Sequence, residues 1–203
     1  VLGDTFVRIY RAAGYDVTAE YYVDDMGKQV GILCWALENL EEEQVQQLLI
    51  EGEIPIEESP HSSKDDHARV LWYQAANLLK SKDPVVDSGV TELVQKSEEA
   101  DEDILNRFEA AYQPVLDGML ETLGRMGIAF DSFTKESKFI VDGSVEILMD
   151  QLQSSQLHGV AENGAHYLEL ESKGVKGKST QFFYRRGDGS SLYATRDLAY
   201  HQY

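Results

Sequence analysis

The sequence predicts an α/β fold in which a parallel sheet is combined with a long helical segment and a small α+β insertion. Three observations predict it. A helix, a turn, a strand and a second helix follow one another within the first 35 residues. A polar, mainly helical stretch occupies 37–127, and short strands alternate with helices from 128 to the end. Alternation of this kind is typical of α/β proteins.

The first α/β unit is predicted from local patterns. Apolar residues recur at helical spacing over 1–13, and Gly14 can supply a left-handed end to that helix. The run 17–23 is rich in β-branched and aromatic residues and predicts a strand. We expect Asp24 or Asp25 to cap the helix that follows. The order is that of an α/β unit whose first strand is absent.

Proline, glycine and serine divide the rest of the chain. The helical stretch is expected to break near its prolines, Pro55, Pro60, Pro84 and Pro114. Strands are predicted at 128–131, 165–170 and 181–185, a helix at 145–152 and a turn at 173–178. We expect Ser190 or Ser191 to cap a last helix that runs from Leu192 to the end.

Composition excludes several classes of protein. With 42% hydrophobic and 27% charged residues, the chain has the make-up of an ordinary globular domain. No apolar run approaches the ~20 residues that a membrane span needs. The single cysteine, Cys34, excludes an intrachain disulfide framework and favours a cytoplasmic protein with a buried thiol. The five histidines lack the spacing of metal ligands, so no metal site is predicted.

The charge is strongly negative and unevenly placed. The formal net charge is −18, and residues 36–104 hold 18 Asp and Glu against 5 Lys and Arg. Such a run usually forms a solvated helical face, although acidic helices can also dock a basic partner. Because acidic surfaces repel phosphate backbones, we expect this chain alone to bind nucleic acid poorly.

Three stretches resemble one family. They read YDVTAEYYVDDMGKQV at 15–30, GIAFD at 127–131 with Glu136-Ser137 after it, and DGSSLYATRDLAYH at 188–201. In order and spacing they are similar to the catalytic domain of class I arginyl-tRNA synthetases, over essentially the whole chain. The resemblance implies a partial Rossmann-like parallel sheet of a class I aminoacyl-tRNA synthetase.

The resemblance also implies a division into domains. Residues 1–135 are expected to form the first half of the catalytic nucleotide-binding domain, including an acidic helical segment at about 36–120. Residues 136–180 correspond to a connective insertion, and 181–203 to the start of the second half. The ATP-handling motifs of the family, His-x-Gly-His and Lys-Met-Ser-Lys, are expected before Val1 and after Tyr203, so both ends are expected to lie inside a longer protein.

The candidate site residues come from spacing and from the resemblance. Tyr193 and Asp197 are four apart and share a helical face. A carboxylate beside a phenol suits a guanidinium, but spacing alone favours a core tyrosine and an aspartate that pairs with neighbouring groups or with water. The resemblance implies that both contact substrate arginine. It also implies Glu136 as a second acid on the guanidinium, with possible supporting roles for Asp25 and Gln29.

The implied function is that of arginine-tRNA ligase, which activates L-arginine with ATP and transfers it to tRNA(Arg). ATP, with Mg, is expected to bind the complete enzyme through parts outside this chain, as is most of the tRNA. The chain is expected to supply the arginine-recognition part, to contain no catalytic or metal-binding residue, and to be inactive alone. Two alternatives are another amino-acid specificity within the class and a non-catalytic acidic helical interaction module.

Overall fold

The computed structural model describes residues 1–55, 64–177 and 179–203, which form two compact units. The first unit comprises 1–97 and 101–135, and the second comprises 98–100 and 136–203. The helices are α1 (Leu2–Ala12), α2 (Lys28–Asn39), α3 (Glu42–Glu51), α4 (Asp65–Lys80), α5 (Pro84–Glu98), α6 (Glu102–Arg125), α7 (Lys138–Val141), α8 (Ser144–Gln153) and α9 (Tyr193–Gln202), with a short 3-10 helix at Glu171–Lys173. The strands are β1 (Glu20–Val23), β2 (Ser132–Lys135), β3 (His158–Val160), β4 (His166–Glu169) and β5 (Gln181–Arg185).

A parallel pair of strands lies in the first unit. β1 and β2 pair from Glu20 opposite Ser132 to Val23 opposite Lys135. The Asp131 side chain, just before β2, accepts a hydrogen bond from the Ala19 backbone N–H at 2.6 Å. This pairing, together with the helices around it, confirms the predicted α/β class with a partial parallel sheet.

The strand predicted at 128–131 is wrong in position, because the strand begins at Ser132. Gly127 has a φ of +69° and turns the chain at the end of α6. The backbone N–H of Ile128 then donates to the carbonyl of Leu123 at 3.0 Å, so this residue closes the helix instead of joining the sheet.

The first helix agrees with its prediction and the second differs at its start. α1 covers the predicted segment, and Gly14 has the expected positive φ of +89°. β1 is shorter than the predicted 17–23. The prediction that Asp24 or Asp25 caps α2 is wrong, since α2 starts after Gly27, at φ +86°, without a side-chain cap. The two aspartates therefore belong to the connection between β1 and α2.

The core of the first unit lies among α2 to α5. Its buried residues are Ile32, Ala36, Leu40, Val45, Leu49, Ala75, Ala76 and Val90. α2 packs against α4 and α6, and α4 packs against α3 and α6. The segment predicted to be helical and polar therefore forms helices that pack against one another through their apolar faces. In the described part of the chain, no helix is long and apolar enough to cross a membrane.

The prolines of this segment do not all end helices. Pro55 follows the end of α3, and Pro84 is the first residue of α5, where a missing N–H costs little. The break predicted at Pro114 is wrong, because α6 continues through it. α6 buries Phe108 before the proline and Gly118 after it, and this packing holds the helix together despite the lost hydrogen bond. The break predicted near Pro60 lies outside the described residues.

The second unit is a small antiparallel sheet with helices. The strand order is β3-β4-β5. α9 packs against α7, α8 and β5. The predicted helix at 145–152 and strands at 165–170 and 181–185 are confirmed as α8, β4 and β5, whereas α7 and β3 were not predicted. The turn predicted at 173–178 is described only to Gly177, where Gly174 has a φ of +87°.

A boundary between the two compact units lies between residues 135 and 136. The division of 136–203 into an insertion and the start of a second half stays a prediction. β4 and β5, which lie on the two sides of the predicted boundary at 180, belong to one sheet.

Candidate functional site

The last helix, α9, has two different faces. Thr195, Arg196 and Ala199 are buried, whereas Tyr193 and Asp197 are exposed. Thr195 Oγ1 donates to the carbonyl of Tyr184 in β5 at 2.5 Å, which attaches the start of the helix to the sheet. Because residues four apart lie one turn from each other, Tyr193 and Asp197 point to the same side of the helix.

The start of α9 does not have the serine cap that the sequence predicts. Leu192 precedes the helix without a side-chain cap, so the prediction of Ser190 or Ser191 as the cap is wrong. Ser190 Oγ instead donates to Asp188 Oδ1 at 2.7 Å. Ser191 Oγ accepts from Arg196 at 3.2 Å. The Ser190 hydroxyl therefore stabilises the turn before α9, and the Ser191 hydroxyl binds the Arg196 side chain.

Arg196 forms a buried ion pair. Its Nε lies 2.6 Å from Glu136 Oε1, and the side chains of both residues are only 6% exposed. Arg196 Nη1 lies 3.7 Å from Glu98 Oε1, and the Glu98 side chain is 9% exposed. The guanidinium is thus balanced by two carboxylates and bound by the Ser191 hydroxyl.

A second arginine fixes the turn that leads into α9. Arg186 Nη1 donates to Glu98 Oε1 at 3.2 Å, to Ser190 Oγ at 3.1 Å and to the Ser191 carbonyl at 2.9 Å. The Ser190 hydroxyl and backbone N–H both donate to Asp188, and these hydrogen bonds lower the pKa of that carboxyl. Glu98 therefore links the two arginines, and Arg186 binds the turn at Ser190 and Ser191.

The sequence-predicted residues of the second unit are placed as follows. Tyr193 is 68% exposed and shares its face with Asp197, as predicted. Across residues 1–55, 64–177 and 179–203, no ion pair occupies the Asp197 carboxylate. Glu136 is 4% exposed and binds Arg196. The prediction that these three residues bind substrate arginine stays a prediction.

Arg196 is the residue that sequence reasoning missed. It stands directly before Asp197, in the stretch that carries the resemblance. A signal was present, since an arginine on the buried side of an amphipathic helix needs an acidic partner. The partner lies 60 residues away, and no local pattern points to it.

The remaining predicted residues, Asp25 and Gln29, belong to the first unit. Asp25 is 5% exposed, at the carboxyl end of β1. Gln29 lies at a groove of about 360 Å³, lined mainly by apolar side chains from β1, α2, α4 and α6. Burial raises the pKa of Tyr112, which lines this groove, to about 12. The groove adjoins the carboxyl end of a parallel strand, where α/β proteins place ligands.

Solved structures show the fold. The chain resembles Plasmodium falciparum arginyl-tRNA synthetase with a TM-score of 0.69 and 16% identity, over all of this chain and 30% of that one. It resembles the Thermus thermophilus enzyme with a TM-score of 0.60 and 20% identity, over 98% of this chain and 31% of that one. The fold is therefore that of a part of arginyl-tRNA synthetases.

Sequence relatives define the family. The chain is 36% identical over 203 residues to the arginine-tRNA ligase of Methanothrix thermoacetophila, covering 32% of that protein. It is 36% identical over 201 residues to that of Methanocella arvoryzae, covering 33%. The family model described as the catalytic domain of class I tRNA synthetases (R) matches residues 1–203. The chain belongs to this family, and it spans about a third of the length of the relatives that it matches.

Proposed function

We propose that the full-length protein containing this chain is an arginine-tRNA ligase of the cytoplasm, and that this chain supplies its arginine-recognition part. Family membership over all 203 residues supports the reaction class. The observation that carries the residue assignment is the outward face of α9. There, Tyr193 and Asp197 stand one turn apart while the opposite face is anchored.

Asp197 is proposed to bind the guanidinium of L-arginine. A guanidinium is a planar cation with five N–H donors, and a carboxylate accepts two of them in a fork. The Tyr193 ring beside it offers an aromatic face and a hydroxyl acceptor. A neutral amino acid would leave the carboxylate without a counter-charge, so the pair favours a basic substrate and argues against most other specificities within the class.

The reaction follows from the family. The carboxylate of arginine attacks the α-phosphorus of ATP, which expels pyrophosphate and leaves arginyl-adenylate. A ribose hydroxyl at the end of tRNA(Arg) then attacks the acyl carbon, and AMP leaves. Mg²⁺ enters with the nucleotide, as it commonly does with phosphate substrates. In this scheme the chain aligns arginine and performs no covalent step.

The other predicted residues have different support. Asp25 and Gln29 are proposed to support the reacting groups from the end of β1, because Asp25 is buried there and Gln29 lies at the groove. Glu136 is proposed to act on arginine either by direct contact or through Arg196, which its carboxylate binds. The acidic surface of the chain supports the view that tRNA is bound mainly by other parts of the protein.

The experiment is ATP–pyrophosphate exchange and tRNA charging by the full-length protein, with tRNA(Arg) present and each amino acid tested in turn. We expect exchange and charging with arginine, and at most background with lysine, glutamate or glutamine. Charging of another amino acid would contradict the assigned specificity. A folded protein without any exchange would contradict the assignment as an enzyme and favour the alternative of an acidic helical interaction module.

The 203-residue chain alone is predicted to be inactive in the same assay. Neither His-x-Gly-His nor Lys-Met-Ser-Lys occurs in its sequence. Without groups that align and neutralise the triphosphate, several kcal/mol of transition-state stabilisation are expected to be lost. Arginine-dependent exchange by the purified chain, at a rate comparable with that of the full-length protein, would overturn this prediction.

A further inference from the structure

We infer that Arg196 is a positioning residue, whose buried guanidinium fixes the face of α9 that presents Tyr193 and Asp197 to the substrate. The inference rests on the proposed function, because it assigns a role in arginine binding to a residue that does not contact arginine. It deepens that function by explaining how a carboxylate on an exposed helix face is held in one orientation.

The groups around Arg196 hold its guanidinium in one place. Its side chain is 6% exposed, and an arginine keeps its charge at any ordinary pH, so burial requires acceptors in fixed places. Glu136 supplies one at 2.6 Å from Nε. Ser191 Oγ lies 3.2 Å from Nη1, and Glu98 Oε1 lies 3.7 Å from it. A planar guanidinium with acceptors on two edges has one favourable orientation.

Arg196 occupies a position in α9 from which it can orient Asp197. It directly precedes Asp197, so the direction in which Arg196 is held sets the direction in which Asp197 points. Thr195, one residue earlier, is attached to the carbonyl of Tyr184 by its hydroxyl. These two consecutive attachments fix the rotation of the helix about its axis. Loss of Arg196 leaves the Thr195 attachment, so the helix is expected to persist with a less well-defined rotation.

Arginine recognition requires a carboxylate in a defined orientation. The two-bond fork between a carboxylate and a guanidinium depends on their relative orientation, whereas a lysine ammonium accepts many orientations. A small displacement of Asp197 therefore weakens arginine binding more than it weakens any step that involves ATP alone. The KM for arginine should report the positioning role, and the KM for ATP should not.

The test uses the full-length protein and the variants Arg196→Lys and Glu136→Gln, measured by arginine-dependent pyrophosphate exchange. We expect the KM for arginine to rise about tenfold in each variant, in line with the sensitivity of bound geometry to small displacements. The KM for ATP should stay within about twofold. The matched control is Arg107→Lys, which changes an arginine paired with Glu38 at the surface of the other compact unit and should leave both KM values unchanged.

A double variant separates the two possible roles of Glu136. If Glu136 acts through Arg196, the double variant Glu136→Gln/Arg196→Lys should raise the KM for arginine no more than the stronger single variant does. If Glu136 contacts arginine directly, the two effects should multiply, and that result would overturn its assignment as a support for Arg196. If Arg196→Lys or Glu136→Gln fails to fold, Ser191→Ala provides a milder change. It removes only one hydrogen bond to Arg196 and should still raise the KM for arginine selectively.

The outcomes distinguish this inference from the proposed function. A wild-type protein without arginine-dependent exchange removes both. An active wild type in which Asp197→Asn impairs arginine use, but folded Arg196→Lys and Ser191→Ala have wild-type KM values for arginine, removes only the positioning role. A selective rise in the KM for arginine in both variants, with the Arg107→Lys control unchanged, supports it.

Discussion

Arg196 and Glu136 are 60 residues apart in the sequence and form an ion pair of 2.6 Å in which each side chain is only 6% exposed. A buried pair of this kind adds little net stability compared with an apolar pair of the same size. Removing one partner, however, takes a counter-charge away from a group that stays buried. We therefore expect the pair to act mainly by favouring one orientation of α9 over the others.

Loss of Arg196 should strongly destabilise the second unit. Arg196→Met takes away the guanidinium that the buried Glu136 carboxylate binds, and we expect a loss of about 3–5 kcal/mol in the free energy of unfolding. The double variant Glu136→Leu/Arg196→Met should recover most of it, because both members of the ion pair are then apolar. Urea denaturation of the chain, followed by far-ultraviolet circular dichroism, measures both.

A surface pair provides the control for this comparison. Arg107 binds Glu38 through two hydrogen bonds, but the side chains are 37% and 35% exposed. Arg107→Met should therefore cost only about 0–1 kcal/mol. Equal losses at the two arginines would contradict the argument that burial makes the Arg196 pair different.

Gly118 should tolerate no side chain, in contrast with another glycine of the same helix. A Cβ on Gly118 would lie 2.2 Å from Asp66 Cγ and 2.6 Å from Asp66 Cβ, where α6 meets α4. Gly118→Ala is expected to lower the free energy of unfolding by about 1–3 kcal/mol, despite the better helix propensity of alanine. Thermal or urea unfolding gives the value.

Gly124 is the matched position. It lies in the same helix, and a Cβ there would have no neighbour within 4 Å outside that helix among the described residues. Gly124→Ala is expected to raise the free energy of unfolding by up to about 1 kcal/mol, from helix propensity alone. If both alanine variants were stabilised, the close packing of α4 against α6 at Gly118 would be wrong.

Cys34 should be an unreactive thiol in the folded protein. Burial, together with the nearby Glu38 carboxylate, raises its pKa from an ordinary 9.0 to about 12. Since the thiolate is the reactive form, alkylation by iodoacetamide at pH 8 should be at least about a hundredfold slower than in urea-unfolded protein. The chain has one cysteine, so mass spectrometry reads this site directly.

The same shift of the Cys34 pKa determines the pH range in which this thiol affects the free energy of unfolding. The unfolded thiol loses its proton near pH 9 and the folded one only near pH 12, so the folded state holds more protons between these values. This contribution to stability is fully present below pH 9 and is lost as the pH rises towards 12. Cys34→Ala should therefore flatten the fall of the free energy of unfolding above pH 9, and an unchanged slope would contradict the shift.

Local patterns predicted much of this fold. The helix-turn-strand order of the first 35 residues, the helical stretch after it and the strands β4 and β5 all follow from spacing that a few neighbouring residues define. The shared face of Tyr193 and Asp197 belongs to the same category, because the helical repeat alone determines it. Such features depend on few contacts between distant parts of the chain.

Features that depend on distant contacts were missed or misplaced. β2 pairs with a strand more than 100 residues earlier, and its start at Ser132 depends on how α6 ends. Pro114 stays inside α6 because packing outweighs the preference of the residue. Ser191 would cap α9 by local preference, but it binds Arg196, which is fixed in turn by Glu136. In each case the tertiary contact is stronger than the local signal.

The most direct test of the account is the kcat/KM for arginine of the full-length Asp197→Asn variant, beside Asp150→Asn, an exposed carboxylate of α8 in the same compact unit. Asparagine keeps the shape and removes the charge that is proposed to bind the guanidinium. Truncation of such a pair costs about 2–5 kcal/mol, so kcat/KM for arginine should fall by about 30-fold or more. The KM for ATP of Asp197→Asn should stay near the wild-type value. The kcat/KM for arginine of the Asp150→Asn control should also stay near wild type. A kcat/KM for arginine equal to wild type in Asp197→Asn would contradict the assignment of this helix face to arginine recognition.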